Sequence, residues 1–229
     1  PEISIPSHAG AAIRAYPHLG NPALVNKAAH GSNQMLWPSA ASLSFVEAAF
    51  HHACSLFPSP TIHIGGAATD WTPWESDSSL MRAGLTSGLT MAYPTPPPGT
   101  ILLAHRPGDV GRRAAESSGA PWVLADTDTL TLSHPGRANS TLEPAHTLSD
   151  RLTHALHGER LKGVEAVAWS STITTPDLLF YHIFPRLLVV AEAAWHGEDS
   201  LSWEKLAPLV EQETAHLQRT VPYWNPQRP

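Results

Sequence analysis

The chain has 229 residues, a formal net charge of −6, 42% apolar residues and only 15% charged ones. That composition suits one domain of ordinary size, or a large part of a bigger protein, and excludes disorder driven by charge. The negative balance leaves no basic footprint for nucleic acid or an anionic membrane, and no apolar run approaches the ~18 residues of a membrane span.

Cys54 is the only cysteine, so no intrachain disulfide and no cysteine-based zinc cluster can form, and stability must come from packing. The 14 histidines include His51 and His52 on a predicted helix, but no HExxH pattern or other metal spacing, so neither a metal nor a cofactor is expected. Proline is abundant at 22 residues, and the cluster Pro94, Pro96, Pro97, Pro98 reads as one exposed loop rather than a collagen-like period. The chain opens on Pro1 rather than methionine, without a basic-then-apolar leader, and the sequon Asn139, Ser140, Thr141 matters only in a secreted protein. The compartment stays open.

Short apolar runs alternate with helical patterns along the chain. The predicted strands are Glu2 to Ile5, Thr61 to Ile64, Leu89 to Tyr93, Thr100 to Ala104, Trp122 to Ala125 and Val164 to Trp169, each followed by a polar or Gly/Pro turn. Between the first two, Ser39 to Phe57 predicts a helix whose core face is Leu43, Val46, Phe50, Cys54 and Phe57, stopped by Pro58. Further on, Asp109 caps a helix through Ser118 with Gly119 as its terminator, and Ser149 caps Asp150 to His157 before Gly158. Pro185 stands at the first turn of Arg186 to Trp195, and Ser202 starts the last helix.

Strands alternating with helices at this spacing imply parallel βα units, either an open doubly wound sheet or a (β/α)8 TIM barrel. His63-Ile-Gly-Gly is too short for a dinucleotide-binding fingerprint, which favours the barrel. A closed barrel needs eight strands, so six imply that two are missing. In such folds the chemistry gathers at the C-terminal strand ends. Here those ends carry Pro6-Ser-His8-Ala-Gly10, the stretch Gly65 to Trp71, Tyr93, His105, Asp126 to Asp128 and Trp169-Ser-Ser171. Tryptophans there either stack on sugar faces or simply pack the barrel mouth.

These residues resemble a family. PEISIPSHAGAAIRAYP is similar to the PEIDMPGHxxAxxxAYP segment of glycoside hydrolase family 20, the β-N-acetylhexosaminidases. TIHIGGAATDWTPW resembles that family's IHIGGDE, and GVEAVAWSSTITTPDLLFYHIFPRLLVVAEAAW resembles its GxxAxxWSE and PRxxAxAExxW elements. The resemblance implies an incomplete (β/α)8 barrel holding the third to eighth strands, the first two being absent. Residues 1–229 would form this partial catalytic barrel, with 197–229 as a C-terminal helix and tail packing on it.

The family's chemistry, as the resemblance implies it, is substrate-assisted: the acetamido oxygen attacks the anomeric carbon, a Glu protonates the leaving oxygen and its neighbouring Asp orients the acetamido group. Ala67 and Ala68 stand at the positions of that Asp and Glu. Neither methyl can donate a proton, and Asp70 and Glu75 are displaced from the acid's place. Ser171 replaces a sugar-binding Glu, Leu130 or Leu132 stands where a Tyr is expected, and Tyr93 and His105 fall roughly where tryptophans would. His8, His63 and Trp169 match family positions, and the resemblance implies that all three are substrate-binding: His8 in the active-site network, Trp169 in the acetamido pocket and His63 as a buried support beside the pair rather than an acid or base. Taken alone, His8 reads equally as a hydrogen-bonded loop residue. Arg186 and Glu192 match as well and are expected to form a buried pair tying a helix to the barrel.

Three explanations compete: an engineered inactive variant, a naturally degenerate homologue that keeps weak sugar binding, and a fragment without independent function. Losses scattered over several loops favour the degenerate homologue, with the fragment close beside it and a working hexosaminidase third. The partners implied are N-acetylhexosamine-containing glycans, together with self-association or pairing with the missing N-terminal part. The resemblance also makes a secreted or lysosomal/vacuolar location conceivable.

Overall fold

The computed structural model describes residues 1–24, 34–66, 98–105, 109–133 and 144–221. The chain divides into two compact units, Pro1–Thr100 and Ile101–Pro229. Leu89 to Tyr93, Tyr93 included, and Ala67, Ala68, Asp70 and Glu75 lie outside the described residues.

In Pro1–Thr100, the segments expected as the first two strands run side by side. Ile3 N donates to the His63 carbonyl at 2.9 Å, Ile5 N to Ile64 at 3.0 Å and His63 N to Pro1 at 3.0 Å. The pairing is parallel but of bridge length, centred on Glu2 and His63. Helix α1 (Gly10–Ala15), not anticipated from the sequence, and helix α2 (Ala40–Leu56) are the α-helices among the unit's described residues. Ile5, Ile13, Leu19, Leu36 and Val46 form its core, with Ile3, Leu43, Phe45, Phe50 and Ile64 packed against them.

Helix α2 starts where expected: the Ser39 hydroxyl accepts from Ser42 N at 3.1 Å, satisfying one orphan donor of the first turn. Its buried face differs from the expectation. Ser42, Val46 and Ala53 are buried, whereas Cys54 and Phe57 are exposed. Phe57 lies beyond the last helical turn in extended conformation, and Cys54 is one step of about 100° around from Ala53. The inward stripe was carried by small residues that an apolar count overlooks. Ser42 even buries its hydroxyl, which donates to the Leu19 carbonyl at 3.3 Å.

In Ile101–Pro229, strands β1 (Leu102–Ala104), β2 (Trp122–Leu124) and β3 (Leu161–Val164) form a parallel sheet in chain order. Helix α3 (Asp109–Ser118) crosses from β1 to β2 and packs on both, while α4 (Thr127–Leu130) and α5 (Ala145–Ala155) connect β2 to β3. Parallel neighbours cannot be joined by a hairpin, so helical crossovers are what the topology demands. Helices α6 (Pro176–Ile183), α7 (Arg186–His196) and α8 (Trp203–Thr220) follow. Helix α7 packs on β3, α5 and α8. Trp122, Leu124, Leu130, Leu148, Leu152, Val189 and Leu206 belong to one continuous buried cluster.

Three boundaries depart from the expectation. The strand predicted over Val164 to Trp169 occupies Leu161–Val164 instead. Its partner β2 ends at Leu124 and turns into α4, so after the Glu165 N–H has bonded the Leu124 carbonyl at 2.8 Å the next neighbour is Thr131, alongside Val167. Ser149 does not cap a helix: α5 begins at Ala145, after Pro144, and Ser149 is buried inside it. Leu148, Leu152 and Leu156 repeat every four residues and are all buried, extending the helical period upstream of the expected start. Helix α6 was missed although its signal is in the sequence, with Thr175 accepting from Leu178 N at 3.3 Å and Pro176 in the first turn.

Two substitutions test this packing. Leu152→Ala should lower unfolding free energy by about 2–5 kcal/mol through the cavity it leaves. Ser39→Ala should cost about 1 kcal/mol through the lost cap. Urea denaturation followed by circular dichroism checks both, the larger loss falling on Leu152→Ala.

Candidate functional site

The two units each carry part of the residues singled out above. In Pro1–Thr100, the chain reaches Ala67 through two glycines with positive φ, Gly65 at +74° and Gly66 at +93°. Gly65 has no room for a side chain. A Cβ there would lie 2.7 Å from the Ser4 Cα, so the end of one segment presses directly on the backbone of its neighbour.

His63 stands just before this turn with its side chain one-third exposed, less buried than a core support would be. Its Nδ1 is 3.3 Å from Glu2 Oε2 and also 3.3 Å from the Gly65 N–H. The imidazole thus stands between the first segment and the glycine turn and can bond either through Nδ1, and no bond joins it to His8. His8 is exposed and holds φ +58°, the left-handed region uncommon for a residue with a Cβ. Ala9 N donates to the Gln34 carbonyl at 2.8 Å, and a Cβ on Gly10 would strike the Gln34 side chain. This close approach accompanies the tight turn that sets His8 outward.

In Ile101–Pro229, Trp169 is 43% exposed and follows the Val167 bridge. Its backbone N–H donates to Ser133 Oγ at 2.6 Å, a bond across 36 positions of chain. Ser133 is fully buried. Sequence reading passed over Ser133, since a lone serine in a turn-rich stretch carries no pattern. Ser171 beside Trp169 is exposed, and His105, after β1, is half-buried. Asp126, at the end of β2, is buried and spends its carboxylate on local bonds, from Asp128 N at 2.8 Å and Thr129 Oγ1 at 3.1 Å. Arg151 reaches across from α5 to Thr129 Oγ1 at 2.6 Å.

Arg186 and Glu192 do not pair. Six residues apart, they project about 120° from one another around α7. Arg186 is buried, and its guanidinium donates to the carbonyls of Leu132 and His182. Glu192 accepts from Leu201 N at 3.1 Å and lies 3.0 Å from His196 Nδ1. Among the described residues, no group of three or more His, Cys, Asp or Glu could hold a metal ion. No single helix among them is long and apolar enough to cross a membrane.

The parallel sheet of Ile101–Pro229, wound in chain order with helical crossovers, is an α/β scaffold, and solved structures of similar fold give that scaffold the TIM-barrel type. The likeness to solved structures extends that class over the whole chain. An Asp-to-Ala variant of Streptomyces plicatus beta-hexosaminidase, in complex with product GlcNAc, superposes with a TM-score of 0.79 at 22% identity, covering 100% of this chain and 52% of that one. The profile described as "Glycosyl hydrolase family 20, catalytic domain" matches residues 1–92 and 117–198, most of the chain, and the protein belongs to that family. It is 23% identical to the beta-hexosaminidase of Akkermansia muciniphila over 250 residues, covering 89% of this chain and 51% of the relative. It is 24% identical to the beta-N-acetylhexosaminidase of Cellulomonas fimi over 254 residues, covering 98% and 49%. The chain spans about half the length of these curated relatives.

Gly65→Ala should destabilise Pro1–Thr100 beyond the roughly 1–2 kcal/mol typical of a left-handed backbone, because the new Cβ also meets Ser4. Gly99→Ala, with φ +85° but nothing within 4 Å, should show only the backbone cost. Parallel denaturant titrations compare them. Equal losses would mean that the contact with Ser4 is relieved without cost.

Proposed function

We propose that the chain is a β-N-acetylhexosaminidase-like module that binds terminal N-acetylhexosamine through Trp169 and has lost nearly all hydrolytic activity. The observation that carries this reading is the coexistence of family membership with Ala67-Ala68 in the Gly-Gly-Ala-Ala stretch. General acid catalysis alone is typically worth ~10²- to 10⁴-fold, and an alanine pair supplies neither the acid nor the acetamido-orienting carboxylate. Binding does not need that chemistry. An exposed indole can stack on a sugar whatever stands at position 68, and the Streptomyces plicatus enzyme with an Asp-to-Ala change still holds GlcNAc. In Pro1–Thr100, His8 stands exposed on its own turn, and on this reading His63 supports the turn that leads to Ala67.

The module supplies the third to eighth strands of a barrel. On that reading the edges left by the absent first and second strands favour self-association or pairing with a segment carrying those strands. The fragment reading shares this geometry and differs in predicting no sugar binding.

The purified chain should release no chromophore from an aryl N-acetyl-β-glucosaminide above a buffer blank. Turnover that falls after Asp70→Ala or Glu75→Ala would instead reveal a relocated acid. Restoring the pair as Ala67→Asp with Ala68→Glu should still leave turnover far below that of a working hexosaminidase. Ser171 and the missing Tyr remove stabilisation that acts jointly in the transition state. Saturation-transfer NMR with GlcNAc should detect binding, weakened about tenfold by Trp169→Ala, the scale of one aromatic contact. No detectable binding by the native chain would favour the fragment.

A further inference from the structure

We infer that Ser133 and Arg186 are positioning residues for Trp169, holding its indole at the presentation the sugar site needs; the assignment of a sugar to Trp169 rests on the function proposed above. The strand that should support Trp169 stops early. After the bond from Glu165 N to the Leu124 carbonyl at 2.8 Å the sheet offers no continuous partner, because β2 has turned into α4. The segment Leu130 to Ser133 takes over as a splint. Val167 N donates to the Leu130 carbonyl and Leu132 N to the Val167 carbonyl, both at 2.8 Å, and Trp169 N reaches Ser133 Oγ at 2.6 Å.

The splint is itself anchored. The carbonyl of Leu132, the residue whose N–H holds Val167, receives the Arg186 guanidinium, which also bonds the His182 carbonyl. Arg186 is 3% exposed, so these charge-assisted bonds lie away from water, where such bonds are strongest and their loss is costliest. A chain of bonds therefore runs from the first residue of α7, through Leu132 and Ser133, to the backbone of Trp169. Ser133 has no exposed surface with which to touch a ligand. It acts through Trp169.

The test separates positioning from general stability and from sugar binding. In Ser133→Ala, amide hydrogen exchange at Trp169 should accelerate about tenfold or more, while exchange in Leu161–Val164 and the melting temperature stay near native values. With 5-fluorotryptophan incorporated and the Trp169 resonance assigned through Trp169→Phe, the same variant should shift or broaden that line alone. Arg186→Met should reproduce the effect, and Arg186→Lys, which keeps a charged donor, should reproduce it partly. If Arg186→Met fails to fold, Ser133→Ala decides by itself. GlcNAc affinity should fall about five- to tenfold in Ser133→Ala, the scale of one hydrogen bond, and should not fall further when Ser133→Ala is added to Trp169→Ala. An unchanged fluorine line and unchanged Trp169 exchange in Ser133→Ala would overturn the inference. A native chain that binds no GlcNAc, with the exchange and fluorine effects present, would remove the sugar and leave the positioning intact.

Discussion

The middle place of β2 is the constraint on which the Ile101–Pro229 unit depends. Each of its residues has a parallel neighbour on both sides, Leu102 and Leu161 for Trp122, Leu103 and Gly163 for Val123, Ala104 and Val164 for Leu124. Trp122 is wholly buried, and Gly158 lies close enough that a Cβ there would come within 3.1 Å of the indole. A parallel sheet can be satisfied only by crossovers that bring helices onto it. Helices α3, α5 and α7 cover apolar surface that three strands alone would leave to water, and the early end of β2 creates the gap that Leu130 to Ser133 fills.

What was legible in the sequence was whatever a local rule controls. Ser39 as a cap, Gly119 as a terminator with φ +72° and Arg186 as the start of a helix needed only neighbouring residues to be read. The strand predicted over Val164 to Trp169 depended on where another strand ends forty positions away, which an apolar run does not encode. Cys54 and Phe57 misled for a related reason, since the inward face of α2 is set by the fit of Ser42 and Ala53 rather than by the largest side chains. Within the candidate site, Trp169 could be found by its motif. Ser133 could not, because its importance lies in a bond across 36 residues.

The pattern of matches and losses along the chain has a physical logic. Several residues at positions that match the family's motifs hold backbone: Gly65 against Ser4, Arg186 on two carbonyls and Glu192 on the amide of Leu201. Replacing any of them would disturb packing or leave a polar group uncompensated. At Ala67, Ala68 and Ser171, where the resemblance expects Asp, Glu and Glu, the side chains are small.

The His63 ring carries one further consequence. Its Nδ1 lies at bonding distance from a donor, the Gly65 N–H, and from an acceptor, the Glu2 carboxylate, and one nitrogen cannot serve both at once. With the ring neutral and its proton on Nε2, the Nδ1 lone pair holds the glycine turn while the carboxylate is left to the Ser4 hydroxyl. With a proton on Nδ1, the ring grips Glu2 and releases the Gly65 amide. The tautomer of a single imidazole therefore decides whether the turn leading to Ala67 is fastened from within or left to its own backbone.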